Sequence, residues 1–75
     1  MLASQCKMAR AALGLGVREL AELADLSPDM VTRFEAGESL KPRTVGAIQQ
    51  ALEAAGVEFI GGSRPGVRMR GLLED

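Results

Sequence analysis

The chain has 75 residues, enough for one small domain. Its single cysteine, Cys6, excludes an internal disulfide, and the absence of histidine excludes a zinc cluster and an imidazole base. Nine Lys and Arg against ten Asp and Glu give a formal charge of −1, which argues mildly against a polyanionic partner, although a local patch matters more than a sum.

Ala and Leu dominate and there is no Trp or Tyr, a composition that favours helices. No apolar run is long enough to span a bilayer, and the first residues show no signal-peptide core, so a cytoplasmic protein with no membrane partner is expected. A first helix is predicted from about Gln5 to Leu13, capped by Ser4, with Leu2, Cys6, Ala9 and Leu13 on one apolar stripe and Lys7 and Arg10 off it. Gly14 ends it. Cys6, early in this helix, reads as a small buried apolar residue rather than a reactive thiol.

Val17 to Ala24 reads as the second helix, with Leu20, Ala21 and Ala24 inward, Arg18, Glu19 and Glu22 outward, and Leu23 partly exposed. Asp25 follows where a left-handed residue is needed, and Asp is among the few non-glycine residues that visit that region. A third helix runs from Pro28 to about Ala36. Ser27 suits its N-cap, Pro28 its first position, and Asp29 adds a favourable first-turn charge. Val31 and Phe34 face inward; Asp29, Thr32, Arg33 and Ala36 face out. After a polar loop, a fourth helix spans about Arg43 to Ala55, with Val45, Ile48, Leu52 and Ala55 as its stripe.

The period then changes. VEFI at 57–60 and VRMR at 67–70 alternate on either side of a loop rich in Gly and Pro, which is a hairpin signal. Val57 and Phe59 would share one face, Val67 and Met69 one face of the return strand, with Glu58 near Arg68 or Arg70. Because an isolated hairpin is marginal and its edges are unpaired, residues 57–70 are expected either to pack on the fourth helix or to pair with a second copy, through Val57, Phe59, Val67 and Met69. Residues 71–75 read as a frayed tail.

Residues 17–36 carry the functional signal. A small residue, Ala21, sits where a second helix must approach, a tight turn follows, and Val31 and Phe34 pack back on Leu20 and Ala24. That spacing suits a helix-turn-helix that presents its second helix to DNA, and equally an ordinary helical hairpin. From Arg10 to Leu52, however, the chain resembles the phage repressor/Cro type of helix-turn-helix domain, the XRE type. The matching stretches are Arg10, LGLGVRELAELADLS, VTRFEAGE, KPR and IQQAL.

The resemblance implies a mainly α fold, a four-helix repressor-like domain over 1–56; the β-hairpin extension at 57–70 rests on the alternation alone, since relatives usually place helical structure after the fourth helix. It implies a structural ion pair between Arg10 and Glu35. It also implies that Arg43, with Lys41, faces the minor groove, where Arg reads groove shape; a solvated loop charge is the alternative. Relatives often place Gln or Asn at the start of the second helix and Gln at the start of the third; Val17, Pro28 and Asp29 stand there instead. Asp29 either accepts from a cytosine amino group or, preferably, stabilises its own helix N-terminus.

The expected DNA-binding set is therefore Ser27 at a phosphate, Arg18 at a phosphate or a base edge, Pro28 at a thymine methyl, Asp29, then Thr32 and Arg33 in the major groove, with Lys41 and Arg43 on the backbone or the minor groove. Arg33 is the best candidate for guanine. The expected function is a sequence-specific transcriptional regulator, a homodimeric repressor on a short inverted repeat of double-stranded DNA. The alternative is a protein-interaction module of the same fold, an antitoxin or anti-repressor with a protein partner. No catalytic residues, cofactor or metal are expected, since no nucleophile stands beside a plausible base.

Overall fold

The computed structural model describes residues 1–70; the tail at 71–75 lies outside the described residues. Four helices, α1 (Ala3–Leu13), α2 (Val17–Ala24), α3 (Pro28–Glu35) and α4 (Pro42–Ala54), precede an antiparallel hairpin of β1 (Val57–Ile60) and β2 (Gly66–Met69). The fold is mainly helical and of helix-turn-helix type.

Each helix starts and stops for a local reason. α1 begins two residues earlier than its sequence suggests, and Ser4 lies inside it rather than at its cap. Leu2 takes the cap position, and the Gln5 side chain reaches back so that its Oε1 accepts the Leu2 N–H at 2.7 Å. Gln is long enough for this reach from the third helical position, which makes a Ser cap unnecessary. Leu2 is accordingly 52% exposed and not part of the buried stripe. α4 gains Pro42, whose missing N–H costs nothing at the first helical position. Ala55 falls in the turn after α4 and is exposed, outside the stripe formed by Ile48 and Leu52.

The α2–α3 turn depends on Asp25, with φ 59°. This left-handed step lets the Leu26 N–H donate to the Ala21 carbonyl at 2.9 Å, satisfying an orphan acceptor at the helix end. α1 ends the same way at Gly14 and α3 at Gly37.

One core serves the whole unit. Cys6 and Ala9 from α1, Leu20 and Ala21 from α2, Val31 and Phe34 from α3, Ile48 and Leu52 from α4, and Val57 from β1 are buried together. Fully burying a side chain such as Leu20 stabilises by about 1.5–3 kcal/mol. Leu23 points away and is 57% exposed.

The hairpin docks on this core. β1 lies against α4 and β2 against α1. Register pairs Val57 with Met69, Glu58 with Arg68, Phe59 with Val67 and Ile60 with Gly66, so β2 starts one residue earlier than the alternation suggested. Gln5 fastens the loop end, its Nε2 donating to the carbonyls of Ile60 at 2.8 Å and Gly66 at 3.0 Å. At the other end, Arg70 donates its backbone N–H to the Gly56 carbonyl and its Nη2 to the Glu53 carbonyl. Glu58 pairs with Arg68, Nη2 to Oε1 at 2.8 Å. Val57 is buried, Phe59 and Val67 are half-buried, and Ile60 and Met69 are exposed. Among the described residues no helix is long and apolar enough to cross a membrane, and no group of His, Cys, Asp or Glu could hold a metal ion.

Candidate nucleic-acid interface

The outer face of α3 is held from behind. Arg10 of α1 donates from Nε to Glu35 Oε2 and from Nη2 to Glu35 Oε1, both at 2.8 Å, a bidentate pair that joins α1 to the end of α3. Arg10 Nη1 also donates to the Leu15 carbonyl at 3.1 Å, and the Cys6 thiol donates to Glu35 Oε2 at 3.1 Å. Burial alone would raise the Glu35 carboxyl pKa; the bonds from Arg10 and Cys6 outweigh it and, helped by the charges of Arg10 and Lys7, hold it below the usual range. The same carboxylate holds the Arg10 guanidinium even more firmly protonated. Burial, reinforced by Glu35, pushes the Cys6 thiol up to about 12, so at neutral pH it is a hydrogen-bond donor and not a thiolate. The clamp fixes the angle at which α3 leaves the body. Losing one partner of such a pair costs about 3–5 kcal/mol, because the other charge is stranded.

Thr32 and Arg33 both project from α3, but toward different flanks. Thr32 lines a shallow depression of about 240 Å3 with Lys7, Val17, Glu35 and Ala36, between α3, α1 and the start of α2. Arg33 lines another of about 300 Å3 with Met30, Ser39, Leu40, Lys41 and Thr44, between α3 and the start of α4. Arg33 is not alone there. Its Nε lies 3.0 Å from Asp29 Oδ2, one helical turn back.

Arg18, Ser27, Pro28, Asp29, Lys41 and Arg43 are all exposed. Arg18 is the second residue of α2, and Arg43 the second residue of α4. Ser27 stands at the N-cap of α3 with extended backbone but makes no side-chain cap bond, which leaves its hydroxyl available. Neither Arg18 nor Arg43 has an acidic partner within salt-bridge distance among the described residues.

Two features escape the sequence reading. Lys7 had no role beyond lying off the α1 stripe, yet it shares the depression that holds Val17 and Thr32. It supplies a cation beside the α2 start, where Val17 offers no polar side chain. The Asp29–Arg33 pair was legible in principle, since residues four apart on a helix are neighbours.

No curated protein matches the chain. A family model described as a helix-turn-helix domain does match it, over residues 2–59, a span that takes in the Arg10–Glu35 clamp, the α2–α3 turn, α4 and most of β1. The chain belongs to this helix-turn-helix family, in keeping with its resemblance to the XRE type.

Proposed function

We propose that the protein is a sequence-specific DNA-binding transcriptional regulator acting as a homodimer on a short inverted repeat, and that it represses by occluding a promoter. The observation that carries this reading is the setting of α3. Its exposed face is clamped from behind by Arg10 and Glu35 and bordered by a cation on each flank, Lys7 on one and Lys41 on the other, with Arg18 and Arg43 exposed at the starts of α2 and α4. Thr32 and Arg33 would enter the major groove, with Pro28 and Ser27 at its edge. Arg18, Lys7 and Lys41 would neutralise phosphates. Arg43 would reach the minor groove from the start of α4.

With about three phosphates neutralised per protomer, affinity from one copy is modest. A second copy raises it through effective concentration. Val57 is taken up by the core of its own chain, which leaves Ile60 and Met69, 39% and 45% exposed on opposite faces of the hairpin, as its apolar residues open to that copy. Two recognition helices in such a dimer would meet half-sites about 34–36 Å apart.

The test is a titration of a random duplex pool over a range of salt, with selection of the tightest sequences. Enrichment of an inverted repeat, and affinity that falls steeply and linearly on a log–log plot, is the expected result. A flat salt dependence with no enrichment overturns it and favours the second reading, a protein-interaction module. The exposed Leu2 and Leu23, at 52% and 57%, support that alternative. For the dimer, Ile60→Lys with Met69→Lys should yield a monomer by light scattering; an unchanged mass assigns the contact elsewhere.

A further inference from the structure

We propose that Asp29 and Arg33 form one recognition unit, in which Asp29 is a positioning residue that presents the Arg33 guanidinium to a guanine. This deepens the DNA-binding reading above and rests on it. Asp29 Oδ2 lies 3.0 Å from Arg33 Nε on the solvent side of α3, an ion pair with the side chains 67% and 51% exposed. A pair this exposed adds little to folding stability. Its consequence is chemical.

Guanidinium carries five N–H donors in one plane. Guanine presents O6 and N7 side by side in the major groove and is read by two adjacent donors. With the Asp29 carboxylate beside Nε, the Nη1 and Nη2 edge of Arg33 stays free and supplies such a pair of donors. Arg also carries a large rotamer freedom, and ordering it on DNA weakens binding. Asp29 restrains that freedom before DNA arrives. The spacing is rigid: Pro28 fixes the first position of α3, Asp29 is second, and Arg33 lies one turn beyond it.

The pair also changes what each charge does. An unpaired Asp29 would repel phosphates, and an unpaired Arg33 would attract any phosphate, whatever the sequence. Joined, they are neutral as a unit and release no net counterion. The unit therefore adds discrimination between sequences without adding indiscriminate attraction. That division suits a chain whose proposed phosphate contacts, Lys7, Arg18 and Lys41, all come from outside α3.

The experiment compares the wild type with Asp29→Ala, Arg33→Ala and the double variant, by selection from random duplexes and by affinity for a non-cognate duplex over a range of salt. Arg33→Ala should lose its preference for guanine at one position, by roughly tenfold or more. Asp29→Ala should weaken preference at that same position, yet bind non-cognate DNA more tightly, with a salt slope steeper by about one as Arg33 is released to a phosphate. The double variant should lose no more at that position than Arg33→Ala alone. If Asp29→Ala keeps the full preference, or alters a different position, the coupling is overturned and the DNA-binding reading stands. If the wild type enriches nothing, both fall.

Discussion

Replacing Glu35 with Gln is the sharpest probe of the scaffold behind α3. Glu35 is 8% exposed, and its two oxygens accept from Arg10 Nε, Arg10 Nη2 and the Cys6 thiol. Gln keeps one acceptor and turns the other into a donor. Whichever way the amide is placed, an N–H then faces either Arg10 Nη2, or Arg10 Nε with the thiol. Removing one partner of a buried pair costs about 3–5 kcal/mol. Arg10 softens that figure here, because its side chain is 23% exposed and keeps the Leu15 carbonyl. A loss of about 2–3 kcal/mol at neutral pH follows, a large share of the roughly 5–10 kcal/mol such a small domain commands.

Urea unfolding at pH 7 would read this as a midpoint lowered by about 2 M, at a slope near 1 kcal/mol/M. The pH dependence gives a second check. The folded Glu35 carboxyl is held below its ordinary value, so its stabilisation is present above the unfolded pKa of about 4.3 and is lost as pH falls through the folded value. The difference between wild type and variant should therefore shrink in acid. A gap below about 0.5 kcal/mol at pH 7, or an equal gap at pH 7 and pH 3, would refute the clamp as an energetic feature. Replacing both partners together, Arg10→Met with Glu35→Leu, should recover much of the loss, since no charge is then stranded.

Other outcomes follow from the same packing. Cys6 is buried with its thiol pKa pushed up to about 12, so it should resist alkylation in the folded protein and react only on unfolding. Its contribution is present below the unfolded value of about 8.5 and is lost as pH rises toward 12, so Cys6→Ala should flatten the alkaline fall in stability. Gln5→Ala strands the carbonyls of Ile60 and Gly66, costs about 1–3 kcal/mol, and should speed amide exchange across residues 57–69 before it affects α2 and α3. Leu20→Ala should cost about 2–5 kcal/mol, read as a lowered thermal midpoint, because Leu20 is fully buried in the shared core.

What the sequence made legible was what is local or repeated. Apolar residues at helical spacing placed Leu20, Val31, Phe34, Ile48 and Leu52, and Asp25 could be read as a left-handed turn because its choices are few. The Arg10 and Glu35 positions came through the family resemblance, since no local rule links residues 25 apart. Gln5 was missed for that reason. Its main partners are carbonyls 55 and 61 residues away, and nothing near it in sequence distinguishes it from a surface amide. Ser4, a better cap by residue type, makes Gln5 the expected first residue of the helix rather than its third. The hairpin's alternation was visible, but which face would be covered was not, because that depends on α1 and α4 arriving beside it. At the interface, the exposed residues could be named one by one. Lys7 and the Asp29–Arg33 pair required knowing which side chains share a depression or a turn.

The docking of β2 on α1, and the place of Val57 in one core with Cys6 and Ala9, also constrain the order in which the chain can fold. Helical domains usually gain speed from contacts between near neighbours. Here the inner face of α1 waits for the hairpin before its covering is complete. Gln5 likewise finds its acceptors only after Gly66 has emerged from the ribosome. Until the hairpin is made, α1 has only the other helices to pack against.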